Sequence, residues 1–456
     1  MTIILSSNII LKCDNNSIIE KCIRENTFTN PIYISNEINH RSNRNIEKTI
    51  ITYNFKEDGL ILPRGYMRDL LKTFNEKSII PKLIDERVSR PCQYPERLNQ
   101  IILRPYQARA VDASLKYDQG VIVSPTGSGK SLIGLEIIRN HKQKSLIIVH
   151  RSDLAKQWVQ IIQDRLGLVS GLIGEGQWQV GEEITVAMIQ TLTSKQEESK
   201  KLKETFGLIL VDETHHTPSE SFSQVIGNMK AKYLYGLSAT VERRDGLEQK
   251  IYRCIGPSIE TISRDEVEKI GATVPAVVKA LDTRFSPFVN SWNDYLIEIS
   301  ANTERNLLIV DLATNEAIPV LILCDRVSHA EHLSGMLSRR DLKHVLAHGQ
   351  IKNRDEVMEE IKKAKITIAT ASLIGEGIDV SSWGILIMAS PISSEIKLMQ
   401  AIGRIVRPAP GKEIALVYDL RDDCGFSGAS FKKRFSIYKK NKIYVEFNNK
   451  NEEAAA

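Results

Sequence analysis

Two successive series of short apolar, β-branched runs, each separated from the next by a helical pattern, constrain this chain more than any other feature. The first series occupies residues 121–124, 145–150, 184–189, 208–212 and 233–239; the second occupies 320–325, 344–348, 366–370, 384–390 and 414–420. Nearly continuous apolar runs of this length are what a parallel sheet demands, because crossover helices bury its strands on both faces. The pattern therefore predicts an α/β protein with two tandem parallel-sheet lobes. Residues 255–300, with Gly256, Pro257, Gly271, Pro275 and Pro287, read as the crossing between them. In such sheets ligands sit beyond the carboxyl ends of the strands, so the residues that close each run are the candidates for chemistry. The first hundred residues fit neither series. Strand-like stretches at 49–55 and 59–62, with a helical stretch after Pro63, predict a separate small α+β domain. The expected division is 1–100, 101–290 and 291–456.

Composition removes several classes. At 456 residues, with 42% hydrophobic and 26% charged, the chain is too long to need disulfide staples and too apolar to be disordered. Its apolar runs fall far short of the roughly 18 residues a membrane span needs. Residues 2–5 are too short and lack the preceding basic residue of an export signal, so the expected location is the cytoplasm. The six cysteines are scattered, without a CxxC pair, and read as reduced structural thiols. A net charge of +5 permits an anionic polymer partner without demonstrating one. Its distribution says more, since 421–450 holds eight basic residues against three acidic ones.

Pro125-Thr126-Gly127-Ser128-Gly129-Lys130-Ser131 follows an apolar strand and precedes an apolar helix, the context of a phosphate-binding loop. The glycines let backbone N–H groups turn toward phosphate oxygens, the helix start adds its positive end, and Lys130 supplies a charge. Ser131 is the expected Mg²⁺ ligand from this loop. Ser124 stands where the general pattern has its first glycine. Asp212 and Glu213 emerge from the run 208–211. A carboxylate beside a phosphate loop is placed to hold Mg²⁺, and its neighbour to take a proton from water; Asp212 and Glu213 are expected in those roles. In the second lobe, Gln400, Arg404 and Arg407 share a helical face opposite Met399, Ile402 and Val406, in a helix that Ser394 would cap and Pro408 would end. Paired guanidiniums on one face suit a phosphoryl group that gains charge during transfer.

Taken in order, these segments resemble the superfamily 2 helicases of the DExH type over residues 103–408. Leu103-Arg-Pro-Tyr-Gln107 resembles the adenine-reading Q motif, residues 125–131 motif I, His150 to Leu154 motif Ia, Asp212 to His215 motif II, and Ser238-Ala-Thr240 motif III. Residues 321–325 resemble motif IV, Thr370 to Asp379 motif V, and Gln400 to Arg407 motif VI. The resemblance implies two RecA-like lobes that clamp ATP, with Gln107 on the base and Gly377 and Asp379 at the nucleotide. It also implies that Arg151, Thr191, Asp325, Arg326 and Thr370 touch a nucleic-acid backbone. Gly236 to Asp245, followed by Ile255-Gly-Pro257, is most similar to XPB-like and phage UvsW-like DNA helicases, although Arg243-Arg244-Asp245 departs from the Arg-Glu-Asp of the XPB pattern.

The tail interleaves Phe435, Tyr438, Tyr444 and Phe447 with Lys432, Lys433 and other bases. Its aromatics either stack on bases or pack against the second lobe, and Lys432 and Lys433 are the expected phosphate contacts. Leu62-Pro-Arg64-Gly65, Arg41 and Arg44 are candidate duplex contacts in a domain with fifteen basic and twelve acidic residues. The resulting expectation is a monomeric, ATP- and Mg²⁺-dependent DNA helicase acting on forked or branched DNA. Its rivals are a duplex translocase that never parts strands, an RNA helicase, an ATP-gated clamp and a small-molecule kinase; the kinase leaves the second lobe unexplained.

Overall fold

A computed structural model describes residues 1–447 apart from 39, 58, 215–218, 240–246, 350–353 and 371–379. The chain divides into two compact units, Met1–Pro125 with Gly129–Ser263, and Thr126–Ser128 with Arg264–Ala456. In the first unit an eight-stranded sheet runs in the order Gln177–Trp178, Gly171–Gly174, Ile184–Met188, Ser145–Val149, Leu208–Val211, Tyr233–Ser238, Gln119–Val123 and Ser258–Thr261. Every pairing is parallel except that of the short edge strand Gln177–Trp178. The central strands Ser145–Val149 and Leu208–Val211 are buried throughout, which is why they read as unbroken apolar runs.

The second unit carries a seven-stranded parallel sheet, ordered Val345–Ala347, Ile366–Thr370, Val320–Cys324, Ile385–Met388, Ala415–Arg421, Ala276–Asp282 and Tyr444–Phe447. Strand Ala276–Asp282 lies inside the stretch expected to be a crossing. It alternates buried and half-buried residues instead of running apolar, so its sequence lacks the signal of a central strand.

The first residues build a third, mainly antiparallel sheet from strands that include Thr2–Leu5, Asn8–Lys12 and Gly59–Pro63, with its own apolar core of Ile3, Ile9, Leu62, Leu70 and Phe74. This sheet belongs to the first unit, and Arg64 is a main reason. Its guanidinium donates to the Gln119 side chain at 2.8 Å and to the carbonyls of Ala231 and Lys232 at 2.7 and 2.9 Å. Gly65 approaches so closely that a Cβ there would lie 2.1 Å from the Tyr252 carbonyl oxygen. The sequence offered Arg64 as a duplex contact; at 1% exposure it is a buried dock between sheet and lobe instead. Arg41 and Arg44 are exposed.

Candidate nucleotide and nucleic-acid site

Strands Gln119–Val123 and Leu208–Val211 are parallel and separated by one strand, Tyr233–Ser238, so their carboxyl ends lie about 10 Å apart. That spacing lets side chains from the two following loops meet. Beyond the first strand, Gly127 and Gly129 take φ of +88° and +82°, a region that a side chain disfavours, and helix Lys130–His141 begins directly after them. Ser131 lies in its first turn and Ser128 is buried. Beyond the second strand, Glu213 itself is left-handed at φ +49°. Its Oε1 comes within 3.4 Å of Lys130 Nζ, which also donates to the Ser124 carbonyl at 3.4 Å.

Asp212 is 6% exposed. Its Oδ2 accepts from Trp158 Nε1 at 2.8 Å, and its Oδ1 from the Glu213 backbone N–H at 2.9 Å. Burial, and then the adjacent Glu213 charge, push its carboxyl above the ordinary range. Trp158 was missed by sequence reading, since an indole on an amphipathic helix reads as core, and only the fold shows its N–H turned to this carboxylate. Gln107 is buried at the start of helix Pro105–Lys116, where its side-chain oxygen accepts the Arg104 N–H at 2.9 Å. Its amide nitrogen would lie 2.5 Å from a Cβ on Gly129, so Gln107 abuts the glycine loop.

In the second unit Ser394 caps helix Glu395–Ile405 by accepting the Lys397 N–H at 3.3 Å. Leu398, Ala401, Ile402 and Ile405 are buried, while Gln400 and Arg404 are half-buried. The helix ends earlier than expected. Arg407 follows the C-cap Val406, because the residue before Pro408 is driven out of helical geometry. Burial lowers its guanidinium from the ordinary value, and burial followed by the Arg407 charge lowers Lys412 to about 8. Lys412 donates to the carbonyls of Ser381 and Trp383 at 2.9 and 2.7 Å.

Among the expected nucleic-acid contacts, Arg151 precedes helix Ser152–Leu166 and Thr191 lies on helix Ile189–Ser194, both half-buried. Asp325 is exposed, its backbone N–H donating to Ser390 Oγ at 3.1 Å, and Arg326 donates to the Asn293 side chain. Thr370 is buried at the end of its strand. Lys432 and Lys433 are exposed on helix Gly425–Lys440. Tyr444 is exposed as well, but other parts of the tail are less available than its composition implied. Arg434 is fully buried against Asp419, Tyr438 is buried, and Phe431, Phe435 and Phe447 pack on one another. Gly377, Asp379, Thr240, His215 and Arg243 to Asp245 lie outside the described residues.

Residues 100–243 match the family described as Type III restriction enzyme, res subunit, and residues 304–409 match the Helicase conserved C-terminal domain. The chain belongs to the superfamily 2 helicases. It is an ATP-hydrolysing helicase with two tandem RecA-like lobes. The helicase is 26% identical over 387 residues to the "Probable helicase D10" of Escherichia phage T5, covering 81% of this chain and 82% of that one. It is 28% identical to the DNA 3′-5′ translocase XPB2 of Sulfurisphaera tokodaii, covering 75% and 86%. S. cerevisiae Dbp5, solved bound to RNA and ADP BeF3, superposes with a TM-score of 0.55 at 16% identity over 77% of this chain and 91% of that one, a likeness of fold. No helix among the described residues is long and apolar enough to cross a membrane.

Proposed function

We propose that this helicase is a monomeric, Mg²⁺-dependent DNA motor that unwinds or branch-migrates forked and branched DNA in the 3′ to 5′ direction. The observation that carries the reading is the 3.4 Å approach of Lys130 to Glu213 beside buried Asp212. A cation from the glycine loop, a carboxylate able to hold a metal and a second able to take a proton are thereby gathered at the ends of two strands with one strand between them. The loop from Thr126 to Gly129 presents backbone N–H groups to phosphate oxygens, Lys130 holds the terminal phosphates, and Gln107 sets the loop and reads the base. Ser131 and Asp212 offer hard oxygen donors, the set that Mg²⁺ prefers, and Asp212 keeps lone pairs beyond its two hydrogen bonds. Mg²⁺, when bound, supplies positive charge to the phosphates.

Glu213 orients and deprotonates the attacking water, releasing Lys130 from the ion pair to the phosphates. Gln400, Arg404 and Arg407 serve the phosphoryl group as charge builds on it, with Gly377 and Asp379 at the nucleotide. Arg151, Thr191, Asp325, Arg326, Thr370, Lys432 and Lys433 grip the nucleic-acid backbone, and residues 1–100, as an accessory DNA-binding domain, ride with the first lobe. The likeness to the DNA translocase XPB2 favours DNA over RNA.

The test is strand separation on a replication-fork mimic, a four-way junction, a simple tailed duplex and an RNA duplex. The fork and junction should be processed fastest. Fastest turnover on the RNA duplex would contradict the DNA reading. DNA-stimulated ATP hydrolysis without separation of any strand would replace the helicase with a duplex translocase.

A further inference from the structure

Strand Ala276–Asp282 runs into residues 283–291, a segment that no motif accounts for. Its exposure alternates. Arg284, Ser286, Phe288 and Asn290 are exposed, while Thr283, Phe285, Pro287 and Val289 are half-buried. Arg284 takes a left-handed φ of +58°, a turn that sets this cation at the start of the segment, and beyond it the exposed side chains are a hydroxyl, an aromatic ring and an amide at alternate positions. Phe288 is 95% exposed.

The ring is held out by a well-anchored frame. Thr283 N–H donates to the Arg421 carbonyl at 2.9 Å, Phe285 N–H to Thr283 Oγ1 at 3.2 Å, and Asp423 N–H to the Phe285 carbonyl at 2.7 Å. Ser291 then caps helix Trp292–Ala301 by accepting the Asp294 N–H at 3.1 Å. Between these anchors Phe285, Val289 and Trp292 pack on a buried cluster of Tyr295, Leu296 and Ile299. The inward positions Thr283, Phe285 and Val289 are therefore used, and Phe288 is left on the outer face.

Its place in the fold supplies the second argument. Strands Ala276–Asp282 and Val320–Cys324 belong to one parallel sheet, so residues 283–291 lie at the same carboxyl edge as Asp325 and Arg326. The Arg326 guanidinium donates to Asn293, two residues beyond Ser291. The acidic residue that opens the segment, Asp282, is paired with Arg421 at 3.1 Å. A lone ring flanked by a cation, a hydroxyl and an amide is poorly suited to a protein interface, where anchors cluster in apolar patches. Single-stranded nucleic acid needs only a π-face for a base and a charge for a phosphate.

We propose that residues 284–290 form a single-strand subsite in which the Phe288 ring stacks on a base and Arg284 meets a phosphate, extending the track that begins at Arg326. The subsite rests on the reading of this helicase as a DNA motor. The full chain is titrated onto fluorescein-labelled oligo-dT, and onto the same strand carrying abasic positions, for the wild type and for F288A, F288W and R284A. F288A should weaken oligo-dT binding about tenfold, within the range for loss of a stacked base, and lose much less on the abasic strand. F288W should bind like the wild type. R284A should make the dependence of log affinity on log salt shallower by about 0.7. The melting temperature of F288A should match the wild type, because the ring packs on nothing. An F288A protein with wild-type affinity for oligo-dT, or an equal loss on both strands, overturns the subsite. A wild type that neither binds oligo-dT nor hydrolyses ATP faster with DNA sinks the motor reading itself; one that does both while F288A is unchanged sinks the subsite alone.

Discussion

Arg64 in the first unit and Arg434 in the second are both sealed from solvent, yet they are held in opposite ways. Arg64 meets neutral dipoles: one amide oxygen and two backbone carbonyls. Burial pulls its guanidinium down to about 9. Arg434 forms a fork onto both oxygens of Asp419, at 2.9 and 2.7 Å, and Tyr438 donates to the same carboxylate at 2.9 Å. Burial opposes its charge too, but the Asp419 carboxylate outweighs that and raises its pKa above the ordinary value. The contrast separates two uses of a buried arginine. In the first unit it fastens one sheet to another through carbonyls that need a donor. In the second it closes a charged network beneath the tail helix, where each member is costly without the others.

The contrast breaks most readily at Arg434. Arg434→Ala leaves Asp419 charged with a side chain 1% exposed, and should cost about 3–5 kcal/mol in chemical denaturation. A loss under about 1 kcal/mol would mean that the network is not a keystone. Arg64→Ala should cost less, about 2–3 kcal/mol, because it removes a donor from neutral acceptors and strands no charge. Its signature should be local. Limited proteolysis should clip the early sheet from the first lobe sooner than in the wild type, whereas Arg434→Ala should not change that rate. Equal clipping in both variants would dissolve the distinction.

Much of this was legible in the sequence, for identifiable reasons. Strands such as Val320–Cys324, buried on both faces, announce themselves as unbroken apolar runs. The glycine loop was legible because its backbone takes left-handed φ at Gly127 and Gly129, where small residues are favoured, and Asp212 and Glu213 because they close such a run. Edge strands were not. Gln177–Trp178 and Tyr444–Phe447 carry exposed and half-exposed residues, and pairing on one side only relaxes the pattern. Basic residues misled most. Arg64 sits in a Pro-Gly turn and Arg434 among lysines, and nothing local distinguishes a guanidinium bound for solvent from one that will meet Asp419, fifteen residues away. The partner of Asp212 was likewise hidden, because Trp158 is 54 residues distant in sequence.

The central claim is that ATP is hydrolysed where Lys130 and Glu213 meet. Steady-state ATP turnover, with and without DNA, for the wild type, Lys130→Ala and Glu213→Gln tests it most directly, with nucleotide affinity measured alongside. Lys130→Ala should abolish the DNA-stimulated rate. Glu213→Gln should retain nucleotide binding while turnover falls by about 10²–10⁴-fold, the range for loss of a general base. Wild-type turnover from either variant would contradict the assignment of this site.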